Sequence, residues 1–129
     1  MLSCLVVDDS KVVRKLERSI MEDIGFVVFE AEDGKKAVEH CGKPKSDEGG
    51  MPDLILLDWH MPVMNGLEFL KELRSMPDGD IPKVIFCTTE SEMTNIMKAL
   101  ELGANEYIMK PFDSEIIKGK LDQIGIDYS

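Results

Sequence analysis

The chain has 129 residues, 43% of them hydrophobic, and a net charge of −10. That length fits one domain around one core, and the composition is globular rather than disordered. The acidic balance argues against nucleic-acid binding, which needs Lys and Arg to neutralise phosphates. No apolar stretch reaches the roughly 20 residues that span a bilayer, and the first residues run into a strand pattern without a basic leader, so a cytoplasmic, membrane-free chain is expected.

Apolar runs alternate with stretches of helical period, the pattern of βαβ units around a parallel sheet. The first strand is predicted over Ser3 to Val7. Ser10 is placed to cap a helix with Val13, Leu16, Ile20 and Ile24 on its inner side and Gly25 at its end. A short strand follows from Val27 to Glu30, then a weaker helix from Gly34 to Cys41, in which His40 reads as a solvated residue. Gly42 to Pro52 reads as a polar surface loop, because Gly49-Gly50 and two prolines break the periodicity.

Asp53 to Leu57 is apolar without alternation, as in a strand covered on both faces. A helix from Gly66 to Arg74 turns Leu67, Leu70 and Leu73 inward, and Pro77 to Pro82 is a turn. The fourth strand is Lys83 to Cys87. Thr89-Glu90-Ser91-Glu92 has capping-box form and opens a helix to Leu102, ended by Gly103. The fifth strand is Glu106 to Met109, and a last helix runs from Ser114 to Ile124. The result is an α/β domain with right-handed crossovers and no output domain after the last helix. Cys4, Cys41 and Cys87 are odd in number and lack CxxC spacing, so they read as reduced thiols.

Four apolar runs end in residues that suit phosphoryl chemistry. Val7 leads into Asp8-Asp9, Leu57 into Asp58, Cys87 into Thr88, and Met109 into Lys110-Pro111. Open α/β sheets bind ligands outside the carboxyl ends of their strands, so parallel neighbours would gather three carboxylates, a hydroxyl and an ammonium at one edge. Asp8 and Asp9 repel each other, and a hard divalent cation with a preference for oxygen relieves that repulsion; an acid pair answering a helix dipole is the plain alternative. Asp58 follows the most apolar strand and is either a phosphoryl nucleophile or a solvated turn residue. Lys110 offers a point charge and Thr88 a hydroxyl to the same group.

Taken together, Asp8-Asp9-Ser10, Asp58 through Gly66, Thr88-Thr89 and Lys110-Pro111-Phe112 make the chain resemble the receiver domains of bacterial two-component response regulators. The likeness covers residues 1–129 and is greatest to single-domain CheY-like chemotaxis regulators. It implies a five-stranded parallel sheet in doubly wound, flavodoxin-like order 2-1-3-4-5 with helices on both faces. By the same resemblance, Asp58 accepts a phosphoryl group from a sensor histidine kinase or a histidine phosphotransfer protein. Mg²⁺ is held by Asp9, Asp58 and the backbone carbonyl of His60, with Asp8 acting through water. Thr88 and Lys110 contact the phosphoryl oxygens, and Tyr107 turns inward on phosphorylation. The Lys110–Pro111 bond is expected to be cis. His60 and Glu90 flank the path of attacking water and tune the lifetime of the phosphorylated form.

Output is expected from a monomer, through a face where an exposed Ile96 and Lys120 flank Tyr107, toward a downstream protein such as a flagellar motor switch; the shared helical spacing of Met93, Ile96, Met97 and Leu100 leaves open that Ile96 is core instead. The chain then acts as a signalling switch and turns over only its own phosphoryl group. Three other readings stay open. A stand-alone receiver can shuttle phosphoryl groups in a relay or drain them from a kinase. A Mg²⁺-dependent aspartyl phosphatase usually carries its two acids two residues apart on one strand, which Asp8-Asp9 do not match. A flavin-binding protein needs hydroxyls and amides in its first loop, where this chain has two acids. Trp59, the one tryptophan, is expected at the border of the site.

Overall fold

The computed structural model describes residues 2–89 and 95–128. Five strands form one parallel sheet in the order β2-β1-β3-β4-β5. The strands are β1 (Ser3–Val7), β2 (Val27–Ala31), β3 (Leu54–Asp58), β4 (Lys83–Thr88) and β5 (Glu106–Met109). Between and after them run α1 (Lys11–Ile24), α2 (Gly34–Gly42), α3 (Gly66–Ser75), α4 (Ile96–Glu101, within the described residues) and α5 (Ser114–Gln123). This is the doubly wound, flavodoxin-like arrangement that the sequence implied.

The central strands are buried on both faces, which is why they show no polar alternation. Their successive side chains serve two separate cores. Leu5, Val7, Ile55, Leu57, Val84 and Phe86 pack with Ala37, Phe69, Leu70, Leu73 and Ile96 from α2, α3 and α4. Cys4, Val6, Leu54, Leu56, Ile85 and Cys87 pack with Met21 of α1 and with Ile117 and Leu121 of α5.

Helix ends follow their local chemistry. Ser10 accepts from the Val13 amide at 3.3 Å and Asp33 from the Lys36 amide at 2.8 Å. Asn65 and Glu68 form a reciprocal capping box at the start of α3. Residues 90–94, which hold most of the capping box read from the sequence, lie outside the described residues. Arg74, at the end of α3, donates to the carbonyls of Gly79, Pro82 and Gly103 and so ties α3 to the turn before β4 and to the end of α4.

Several burial expectations change. Leu16 is 61% exposed, and the inner face of α1 is instead centred on Met21 and Glu17. His40 is buried and lies tilted on Phe29, with ring centroids 4.9 Å apart, rather than solvated. Phe69 joins Leu70 and Leu73 inside, while Leu67 is only half-buried. Cys4, Cys41 and Cys87 are free and buried.

Candidate functional site

Strand register brings the site together. Val7 of β1 pairs with Leu57 of β3, so the next residues, Asp8 and Asp58, leave the sheet side by side. Asp58 in turn pairs with Cys87, which precedes Thr88, and Thr88 pairs with Met109, which precedes Lys110. The Lys110 amide donates to the Thr88 carbonyl at 2.7 Å. The Lys110–Pro111 bond is cis.

The loop after β3 returns over the site. Gly66 donates its amide to the Trp59 carbonyl at 3.0 Å. A Cβ at Gly66 would lie 2.5 Å from the Asp58 carbonyl oxygen and 2.8 Å from the Phe86 ring, so only glycine lets α3 start this close to the Asp58 backbone. Val63 in the same loop has φ of 70°, a left-handed conformation that is costly for a β-branched residue. Trp59, next to Asp58 in the chain, is buried and packs on Phe86 at 4.9 Å between centroids.

The acids are unequal. Asp9 is exposed, whereas Asp8 and Asp58 are buried, 2% and 6% exposed. One carboxylate oxygen from each of the three lies within 4.8 Å of the others. Lys110 Nζ donates to Asp58 Oδ1 at 2.8 Å and stands 3.6 Å from Asp8 Oδ2. Asp8 Oδ1 accepts from the Ser10 amide at 2.8 Å, but its buried Oδ2 has no hydrogen bond among the described residues. Burial pushes the Asp8 carboxyl above its ordinary value, opposed by the Ser10 amide and by Lys110 and reinforced by Asp58 and Asp9. Burial alone would lower the Lys110 pKa, but the hydrogen bond to Asp58 and the two acids raise it well above the ordinary lysine value, so it stays charged.

These features fit a hard divalent cation. An orphaned buried oxygen, a carboxyl raised by burial and three oxygens converging on one point are all relieved by Mg²⁺, which takes oxygen ligands and keeps several waters. One ammonium beside three carboxyls leaves the pocket short of positive charge.

The other residues singled out from sequence are placed as follows. Thr88 is fully buried, and its hydroxyl donates to the Thr89 carbonyl at 3.2 Å. His60 is exposed two residues after Asp58. Glu90 lies outside the described residues. Tyr107 is half-buried, with Lys120 Nζ 4.6 Å from its ring centroid and 3.5 Å from Glu106. Ile96 is corrected: it is 6% exposed and packs in the core with Ala99, so it is no surface anchor, and Met97 beside it is 68% exposed. The helical spacing of Met93, Ile96, Met97 and Leu100 allowed either face, and Ile96 is the one that joins the core with Ala99. Sequence reasoning missed Glu17, a buried acid on α1; its polarity in an apolar stripe between Val13 and Met21 was the available signal.

Comparisons with known proteins agree with this geometry. Residues 4–122 match the response regulator receiver domain family. The chain is 36% identical to the chemotaxis protein CheY1 of Helicobacter pylori, over 95% of this chain and 96% of that protein. It is 34% identical to the CheY homolog of Campylobacter jejuni, over 95% and 92% of the two. Among solved structures, the chemotaxis protein CheY4 of Vibrio cholerae superposes with a TM-score of 0.84 at 30% identity, covering 96% of this chain and 98% of that one. The receiver domain of a Pseudomonas aeruginosa sensor histidine kinase, which has a magnesium ion coordinated in its active-site cleft, superposes with a TM-score of 0.81 at 26% identity and the same coverage. With the family matched across both cores and every strand end of the acid cluster, this chain belongs to the response regulator receiver domains.

Proposed function

We propose that the chain is a phosphorylation-controlled chemotaxis response regulator with Asp58 as its phosphoacceptor. The observation that carries this reading is the 2.8 Å contact of Lys110 with Asp58 inside a cluster of three converging carboxylates. An Asp58 oxygen attacks the phosphorus of a phosphohistidine on a kinase or phosphotransfer protein; the P–N bond breaks and imidazole leaves. Lys110 holds the carboxylate in place beforehand and is within reach of the transferred oxygens afterwards. Asp9, Asp58 and the His60 carbonyl, with Asp8 through water, would hold Mg²⁺, which when bound supplies the positive charge the pocket lacks. The aspartyl phosphate is an acyl phosphate that water hydrolyses, and exposed His60 is positioned to modulate that rate.

Thr88 carries the change outward. Its hydroxyl leaves the Thr89 carbonyl for the phosphoryl group, and half-buried Tyr107 on the neighbouring strand moves inward, which biases a two-state surface. That surface comprises Tyr107 and Lys120 with exposed Met97 as apolar anchor. The chemotaxis assignment is supported by the names of the relatives.

The test is capture with and without beryllofluoride, a mimic of the acyl phosphate. Beryllofluoride-dependent capture of a flagellar motor component is expected. Capture of a histidine phosphotransfer protein alone would make the chain a relay shuttle, and capture indifferent to beryllofluoride would refute the switch.

A further inference from the structure

The last two residues of β2 both reach Asp8. Val7 pairs with Ala31, and the Asp8 amide donates to the Ala31 carbonyl at 3.1 Å. Glu30 reaches Asp8 by way of α1. Its Oε1 accepts from Arg14 Nε at 3.2 Å, and Arg14 Nη1 donates to the Asp8 carbonyl at 2.7 Å. Both side chains are largely shielded from water, 12% exposed for Arg14 and 14% for Glu30. No step of the phosphoryl transfer uses this pair, yet it ends on the peptide that joins Asp8 to Asp9.

On the reading of Asp9 and Asp58 as Mg²⁺ ligands, we propose that Arg14 is a positioning residue for the cation site: clamped by Glu30, its guanidinium fixes the peptide between Asp8 and Asp9 and so sets how the two acids are presented. A peptide is planar, so a donor on the Asp8 carbonyl orients the plane that also carries the nitrogen and Cα of Asp9. Asp8 is then held at its amide by Ala31, at its carbonyl by Arg14 and at Oδ1 by the Ser10 amide at 2.8 Å. Exposed Asp9 is built directly onto that frame. Mg²⁺ demands near-ideal octahedral geometry, so a shift of this turn costs affinity. A guanidinium suits the task because its rigid fork of donors serves a carboxylate and a carbonyl at once, with charge-assisted hydrogen bonds.

As a bare charge, Arg14 would have the opposite effect. A cation near the site repels Mg²⁺, and its removal would tighten binding. Arg18 is the internal comparison. It carries the same charge and donates to Glu30 at 2.8 Å, but its other partner among the described residues is Glu22 rather than Asp8.

The test is an Mg²⁺ titration of the full chain, read from the NMR amide signals of Asp9 and Asp58, with urea unfolding of each variant alongside. Arg14→Gln should weaken Mg²⁺ binding by about tenfold, the lower end of what loss of a partner behind a metal ligand costs. Arg18→Gln should lose stability through Glu30 but leave Mg²⁺ affinity unchanged or slightly tighter. Arg14→Lys serves if the Gln variant does not fold. It keeps the charge, and it should still bind Mg²⁺ severalfold more weakly, because one ammonium cannot span both partners as the fork does. Affinity in Arg14→Gln and Arg14→Lys equal to or tighter than in the unmodified chain would overturn the positioning role, as would an equal loss in Arg18→Gln. No Mg²⁺-dependent shift at Asp9 and Asp58 in the unmodified chain would instead overturn the cation site itself, and the positioning role with it.

Discussion

Two glutamates on either side of α1 show how surroundings, not residue type, decide what an acid does in this molecule. Glu30, at the end of β2, accepts from Arg18 at 2.8 Å, Lys15 at 3.0 Å and Arg14 at 3.2 Å. Its partial burial pushes its pKa up, but those three donors outweigh it and hold the carboxyl at about 2. Glu17 faces the sheet, where burial and Asp8 raise it to about 8 and no donor reaches Oε2 among the described residues. Asp8 stands between these extremes: buried like Glu17, but given the Ser10 amide and a share of Lys110. The candidate site is thus built from acids left partly uncompensated, while the far side of α1 is a neutralised surface network.

If that contrast is right, removing the shared cation produces the largest effect. Lys110→Ala leaves Asp8 and Asp58 facing each other without a counter-charge, and labelling of the chain by acetyl phosphate with Mg²⁺ should slow by about 100-fold or more. Labelling within about twofold of the unmodified chain would mean that Lys110 only fills space.

Next comes Glu17. Its folded pKa lies above the unfolded value of 4.5, so the native state binds more protons between about pH 4.5 and 8, and stability falls across that window as pH rises. Glu17→Gln removes this loss. Its stability relative to the unmodified chain, measured by urea unfolding, should grow by a few kcal/mol, order of magnitude, from pH 4.5 to pH 8.5 and then level off. A constant difference across that range would show that Glu17 finds a donor in solution.

Glu30→Gln is the smaller, opposite case. A depressed acid contributes stability that is complete above the unfolded value of 4.5 and is lost as pH falls through about 2. With Lys15 57% exposed and Arg18 37% exposed, solvent screens the network, and the substitution should cost about 1 kcal/mol at pH 7, less in high salt. Insensitivity to salt would place the cost in packing rather than in charge.

The parts of the fold read correctly from sequence are those with strong local signals. All five strands were anticipated within a residue or so at each end, because runs such as Leu54 to Leu57 lie between both cores and admit no polar residue. Ser10 and Gly25 marked the ends of α1 because capping is chemistry within one turn. The site was legible because it sits where apolar runs stop. What failed depends on distant packing. Leu16 reads as inner by hydrophobicity, yet it lies about 100° around the helix from Glu17, which takes the inner place. His40 reads as polar, but Phe29 on another element covers its ring. Ile96 and Met97 are equally apolar, and only packing against distant parts of the chain decides which is buried.

The central claim is that Asp58 is the acid that takes the phosphoryl group. The direct measurement is the intact mass of the unmodified chain and of Asp58→Asn after incubation with Mg²⁺ and acetyl phosphate. The account predicts one added phosphoryl group on the unmodified chain and none on Asp58→Asn, although Asp8 and Asp9 remain in place. Full labelling of Asp58→Asn would contradict it.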